Sequence, residues 1–302
     1  MKYSLNFVDY FKRFNILSLL LVFLSLIFII FKGLNYGIDF KGGTLIEIRL
    51  DNKEVRVSDI RDSLKKIDLG DVNVKNFGEN SDFLIKIEKK INNNEVLIKK
   101  IKTTLDQDLN EEVNYRRVES VGPKVSAELL KSGVISIGLA LLMMLFYIWF
   151  RFEWQFSLGS IIALFHDVII TMGIFSLLSI EINLSIVAAV LTIVGYSMND
   201  TVVIYDRIRE NLSKYNKLDI NQISNLSVNE TLSRTLITSV TTLLALFSIF
   251  ILGGEILKGF SFAMILGVII GTYSSIFVAS PVLKYLNVSY KTLEKKEEKI
   301  VP

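Results

Sequence analysis

The chain is expected to be a polytopic α-helical membrane protein with six transmembrane helices and one α+β domain set between the first two. Three observations lead there. Hydrophobic residues make up 51% of a chain of 302, more than a soluble protein of that length usually carries. They gather into six long apolar runs, each near the ~20 residues that cross a bilayer. Between the first run and the second lies Gly37 to Lys131, mostly polar and highly charged, with apolar residues spaced for an ordinary small core.

The N-terminal stretch Met1–Asn15 carries Lys2, Lys12 and Arg13 ahead of the charge-free run Ile16–Phe31. A positive start before an apolar core is also the pattern of a cleaved signal peptide. This run is at the long end for one, and Lys32-Gly33-Leu34-Asn35 follows where a small-x-small cleavage site would stand. The segment reads as an uncleaved first span.

Within the polar stretch, Thr44, Ile46, Ile48 and Leu50 alternate with more polar positions, which predicts a strand. Ile60, Leu64 and Ile67 fall at helical spacing. Val72/Val74 and Phe83/Ile85/Ile87 read as two strands parted by the turn signal Gly78-Glu79-Asn80. Ile98, Ile101, Leu105 and Leu109 predict a second helix, and Val113 to Val118 a last strand. The order β-α-β-β-α-β is that of a ferredoxin-like split βαβ domain. Roughly 80–90 residues suffice for one modest core. Val121-Gly122-Pro123 closes the domain, and Pro123 suits the first turn of the next helix.

The remaining apolar runs are Gly133–Phe150, Phe156–Ser179, Leu184–Tyr205, Leu236–Leu252 and Phe260–Leu283. Lys and Arg crowd the N-terminus, the connection Arg207–Arg234 and the tail from Lys284. Ile180–Asn183 has neither, and Gly253–Gly259 only Lys258. Positive-inside counting puts both termini and the 207–234 connection in the cytoplasm and the α+β domain outside. The expected division is 1–36 for the N-terminus and first span, 37–130 for the extracytoplasmic domain, 131–285 for spans two to six and 286–302 for a cytoplasmic tail.

Composition also limits the chemistry. The chain has no cysteine and one histidine, His166, so it offers no disulfide framework, no thiolate metal site and no His cluster for zinc. Neither G-x-S-x-G nor a phosphate-cradling P-loop occurs. No enzyme activity, cofactor or metal is expected. Any work must draw on an ion gradient or on a partner.

The polar residues inside the spans carry the functional signal. Asn199 and Asp200 interrupt the fourth run before its apolar pattern (Val202, Val203, Ile204) has ended. A carboxylate inside a span costs roughly 2.5–3.5 kcal/mol on insertion scales. Asp200 is therefore either a residue near the helix end that reaches water or an ion-handling carboxylate facing the bundle interior. The latter is the stronger reading, because partners can be named. Ser197 and Thr201 flank it. In the fifth span Thr231, Arg234, Thr235, Thr238, Thr241 and Thr242 recur at three- and four-residue intervals, so most share one helix face. Such a stripe serves either a polar path or plain helix–helix hydrogen bonding. The fourth span runs inward and the fifth outward, and at about 1.5 Å per residue Asp200 and Arg234 fall at similar depth. A nearby cation favours the charged carboxylate and loss of water disfavours it, so the balance swings as water enters or leaves. In the third span His166 and Asp167 lie too deep to reach water, either as a structural polar pair or as part of the same path; a histidine titrates near neutrality. Gly267-x-x-x-Gly271 in the sixth span reads as a close-packing motif.

Four motifs carry a family resemblance. They are Gly37-Ile38-Asp39-Phe40-Lys41-Gly42-Gly43-Thr44 after the first span and Val121-Gly122-Pro123-Lys124-Val125-Ser126 before the second. The others are Gly195-Tyr196-Ser197-Met198-Asn199-Asp200-Thr201 with Asp206-Arg207-Ile208-Arg209-Glu210-Asn211, and Thr231-Leu232-Ser233-Arg234-Thr235. In this order, on a six-span layout, they resemble the SecF family of the bacterial Sec protein translocase over nearly the whole chain. The resemblance implies an RND-type membrane fold and, with SecD, use of the proton-motive force to help complete polypeptide export through SecYEG after SecA-driven translocation. YajC is an optional further partner, and no nucleic acid is involved. Asp200 resembles the family's proton-path carboxylate and Arg234 its basic partner, with Asn199, Thr201, Thr235, Thr238, His166 and Asp167 as candidate path residues. Asp39, Phe40, Gly42, Gly43 and Thr44 look like the junction to the exported domain. The implied coupling ion is the proton, with sodium as the alternative, and the implied location is the inner membrane. SecD is not fused here, so the chain alone should not be a complete pump. A small-molecule or lipid exporter half of the same superfamily and a non-transporting scaffold of the translocon are the rival readings.

Overall fold

The computed structural model describes residues 5–51, 55–67, 69–70, 72–76, 81–87, 94–109 and 113–297. The turn signal at 78–80, Lys2 and the last residues of the tail lie outside the described residues. The described chain divides into two compact units: 1–35, 136–180 and 185–302 form one, and 36–135 with 181–184 the other.

The second unit holds the α/β domain. Helix α2 (Ile38–Lys41) leads into strand β1 (Gly43–Arg49), followed by α3 (Val57–Lys65), β2 (Val72–Asn76), β3 (Asp82–Ile87), α4 (Asn94–Asp108) and β4 (Asn114–Val121). The sheet order is β2-β3-β1-β4 with antiparallel neighbours, the ferredoxin-like arrangement that the element order predicts. Period-2 alternation places Ile46, Ile48, Phe83, Ile85 and Ile87 on one face, where Ile60 and Leu64 of α3 and Ile101 and Leu105 of α4 cover them. All nine are at most 1% exposed. On α4 the innermost turn uses Leu97 rather than Ile98. On β1 and β3 a bidentate pair, Arg49 Nε to Asp82 Oδ1 and Nη2 to Oδ2, both 2.6 Å, links opposite residues. That guanidinium holds the Asp82 carboxyl below the usual carboxylate range.

The other unit is helical. Among the described residues, six helices are long and apolar enough to cross a membrane: Val8–Phe31, Pro123–Arg151, Trp154–Leu178, Leu184–Lys214, Ile220–Leu252 and Leu257–Tyr285. They make this a multi-pass membrane protein. In chain order they are α1, α5, α6, α7, α8 and a sixth span built from α9 (Gly254–Ser274), a π-helical turn Ser275–Ala279 and α10 (Ser280–Tyr285). A short α11 (Tyr290–Glu297) follows. Pro123 begins α5, where its missing amide costs nothing. Phe152, Phe156, Tyr205 and Leu283 are at most 1% exposed and anchor the core at one end of the bundle.

The polar connection 207–234 is not a loop. Helix α7 runs on to Lys214 and α8 starts at Ile220, so most of it is a helical hairpin. A reciprocal capping box starts α8, with Gln222 N donating to Asp219 Oδ1 at 2.8 Å and Asp219 N to Gln222 Oε1 at 3.2 Å. The two arms are tied by Arg207 Nε to Glu230 Oε2 at 2.6 Å and Asn211 Nδ2 to Ser227 Oγ at 3.0 Å.

Candidate functional site

Asp200 is 3% exposed. Its Oδ2 accepts a hydrogen bond from Thr272 Oγ1 of α9 at 3.4 Å, and that hydroxyl lies 2.7 Å from Ser239 Oγ of α8. A carboxylate, two hydroxyls and three helices thus form one short polar chain. Close approach makes it possible. A Cβ on Gly267 would fall 2.3 Å from Ile193 Cγ1, and one on Gly271 2.9 Å from Ser197 Cβ. The Gly267-x-x-x-Gly271 motif is therefore the seam along which α9 lies against α7.

Arg234 makes no ion pair among the described residues. Its side chain lines a cleft of about 460 Å³ with Arg151, Asp206, Arg207, Glu210 and Glu230. Two ion pairs wall that cleft, Arg151–Asp206 at 2.9 Å and Arg207–Glu230 at 2.6 Å. The neighbours on α7 diverge. Thr201 is buried, its Oγ1 2.8 Å from Ser275 Oγ of the π-helical turn, whereas Asn199 is exposed. On α8, Thr235 is 2% exposed and its hydroxyl has no partner among the described residues. Thr238 and Thr241 instead donate back to carbonyls of their own helix. The threonine stripe thus splits: Thr235 is buried, Thr242 accepts from Tyr196 Oη of α7 at 3.3 Å, and Thr231, Thr238 and Thr241 donate to carbonyls of their own helix.

A second buried cluster sits nearby. Asp167 of α6 is 0% exposed. Its Oδ1 lies 2.8 Å from His166 Nδ1, and its Oδ2 accepts from Ser197 Oγ of α7 at 2.5 Å and from Ser274 Oγ of α9 at 2.8 Å. One carboxylate therefore joins three helices. The His166 ring stacks on Tyr273 with centroids 6.1 Å apart, and its buried Nε2 has no partner among the described residues. The π-helical turn extends the network. Its widened turn frees carbonyls, and Tyr205 Oη donates to Ala279 O at 2.9 Å.

The junction motif is compact. Gly37 N donates to Ile182 O at 2.8 Å, Asp39 Oδ2 accepts from Leu184 N at 2.9 Å and Thr44 Oγ1 lies 3.0 Å from Ser120 Oγ. Phe40 is buried. Gly42 has φ +80° and faces Val121 O and Ser126 Oγ, a conformation and a space that favour glycine. Gly43 follows at φ +131°.

Of the residues that the sequence singles out, Asp200, Thr201, Thr235, His166 and Asp167 are buried, Asn199 and Arg234 are exposed and Thr238 bonds its own helix. Ser239, Thr272, Ser274 and Ser275, which hydrogen-bond around Asp200, Asp167 and Thr201, are not among them. Ser239 continues the spacing of Thr235 at four residues, which was the available signal. The serines and threonine of the sixth span gave none.

A family model described as the C-terminal part of the protein export membrane proteins SecD/SecF matches residues 100–289. A second model, the SecD/SecF GG motif, matches residues 27–54. The protein translocase subunit SecF of Rickettsia rickettsii (strain Sheila Smith) is 45% identical over 285 residues, 93% of this chain and 92% of that protein. The chain belongs to the SecF family. The SecF subunit of Desulfurispirillum indicum is 42% identical over 295 residues, covering 94% of each chain. The crystal structure of SecDF from Thermus thermophilus, a translocon-associated membrane protein, superposes with a TM-score of 0.84 at 35% identity. That match covers 94% of this chain and 39% of the SecDF chain, so this SecF-family chain spans about two fifths of that structure's length. A SecDF structure in a super-membrane-facing form matches with a TM-score of 0.66 at 32% identity.

Proposed function

We propose that the chain acts as the SecF subunit of a SecD–SecF pair in the bacterial inner membrane and couples inward proton movement to the completion of polypeptide export through SecYEG. SecA supplies the earlier ATP-driven step, and YajC is a further associate. Both termini and the 207–234 hairpin face the cytoplasm, a reading that the distribution of Lys and Arg supports. The α/β domain faces outward.

The observation that carries this reading is Asp200, buried in the bundle at the end of a hydroxyl chain that joins α7, α9 and α8. A carboxylate placed so holds a proton when water is excluded and releases it when the cleft admits water. Thr272 and Ser239 relay or orient that proton, Thr201 and Thr235 line its surroundings, and Arg234 stabilises the charged form. One charge crossing ~100 mV is worth about 2.3 kcal/mol, enough to bias a two-state domain roughly fifty-fold. Asp167, with donors on both oxygens, braces α6, α7 and α9 around the path.

Inverted inner-membrane vesicles depleted of SecF and SecD test the proposal. Restoring SecD with this chain should restore export that stops when the proton gradient is collapsed by a protonophore. Export restored equally well with the gradient collapsed supports the scaffold reading instead, and dependence on a sodium gradient alone would replace the proton as coupling ion.

A further inference from the structure

Asp39 and Gly37 do more than lead the chain from α1 into the sheet. Glu181–Leu184, the stretch that ends in the first residue of α7, belongs to the same compact unit as the α/β domain. Gly37 N donates to Ile182 O at 2.8 Å, and Tyr36 and Ile182 form a parallel β-bridge. Lys86 of β3 lies 3.6 Å from Glu181 Oε1 and donates to Tyr36 O at 3.3 Å. Asp39 Oδ2 accepts from Leu184 N at 2.9 Å. Leu184 is the first residue of α7, so this carboxylate satisfies one of the amides that a helix start leaves open, and its negative charge suits that end. Helix α7 carries Asp200 sixteen residues further on.

We propose that Asp39 is a positioning residue that couples α7 to the α/β domain, so that a change at Asp200 reaches the domain through the first turn of that helix. Resting on the proton-coupled reading above, it gives the junction motif a mechanical role. The coupling point is covalent at one end and hydrogen-bonded at the other. A rotation or axial shift of α7 pulls on Leu184, and Asp39 passes the pull to the strand that follows the motif. Glycine suits position 37, because a Cβ would lie 3.2 Å from Ile182 O and would push the Glu181 carboxylate, 2.6 Å away, from its place beside Lys86.

The test uses the complex with SecD in nanodiscs, followed by hydrogen exchange, with export measured in parallel. With Asp39 intact, Asp200→Asn should change exchange in residues 36–44 by at least about two-fold. Asp39→Ala should abolish that response, and Asp39→Asn, which keeps an acceptor oxygen, should preserve it. Gly37→Ala gives a second route to the same uncoupling should Asp39→Ala fail to assemble. In export, Asp39→Ala should lose about ten-fold in gradient-dependent rate, with Asp39→Asn within about two-fold of wild type. The proposal is overturned by an exchange response that survives Asp39→Ala, by no response in the wild type, or by Asp39→Asn failing as Asp39→Ala does. An intact, Asp39-dependent exchange response in a complex whose export ignores the gradient would uphold the coupling and remove the proton-driven reading.

Discussion

Asp200 takes its hydrogen bond from Thr272, while Arg234 makes no ion pair with it among the described residues. The basic partner is therefore not locked in a salt bridge, and the hydroxyl chain is the group in contact. Thr272→Val, which keeps the shape and removes the donor, should lower gradient-dependent export by roughly two- to ten-fold, the worth of one ordinary hydrogen bond of about 0.5–1.5 kcal/mol. Thr272→Ser should stay near wild type. Equal export from Thr272→Val would show that the hydroxyl takes no part.

Asp167 is expected to fail differently. Asp167→Leu leaves the Ser197 hydroxyl buried without its acceptor, at about 1–3 kcal/mol, and removes the tie to Ser274, which keeps only Gly271 O of its own helix at 3.1 Å, so the complex should assemble poorly. Asp167→Asn keeps one acceptor and should assemble. Thermal melting of the purified SecD complex measures this, and a stable Asp167→Leu complex with lost export would move the residue from bracing into the proton path.

How far the fold was legible follows from the range of each signal. Apolar run length marked the six spans, and alternation against helical spacing gave the ferredoxin-like order, because both periods are local. That the 207–234 connection is a helical hairpin was not legible, because its two arms are tied by pairs on different helices, Arg207 with Glu230 and Asn211 with Ser227. Asp200 was legible because a carboxylate interrupts an apolar run. Thr272 was not, since a threonine in a span looks the same whether it serves a neighbour or, as Thr241 does, its own backbone. Its role depends on the register of α9 against α7, which Gly267 and Gly271 set through contacts to Ile193 and Ser197.

The α/β domain should show an acid-labile pair. Asp82, held below the ordinary carboxylate range by Arg49, contributes stability that is complete above its unfolded pKa of about 3.9 and is lost as pH falls through its lower folded value. The fragment 43–119 should fold alone, and its melting temperature should drop below about pH 4. Asp82→Asn should cost about 1.5–3 kcal/mol at neutral pH and flatten that drop. A disordered fragment, or an unchanged acid profile in Asp82→Asn, would contradict this.

Topology is checked by labelling in intact cells. A cysteine placed at Lys99 of α4 should react with an impermeant thiol reagent from outside, and one at Asn216 in the hairpin turn should be protected. Both positions are exposed, so reactivity reports the side of the membrane, and the reversed pattern would overturn the proposed orientation.

The most direct measurement is export by the Asp200→Asn complex across an imposed proton gradient. Asparagine keeps the shape and a hydrogen-bond acceptor for Thr272 but cannot release a proton. The complex with SecD should assemble normally and lose its gradient-dependent export. Arg234→Met should fail in the same assay, and the double variant should be no worse than either, since both disable one step. Wild-type export from Asp200→Asn across the same gradient would make Asp200 a structural residue and contradict the proton-coupled account.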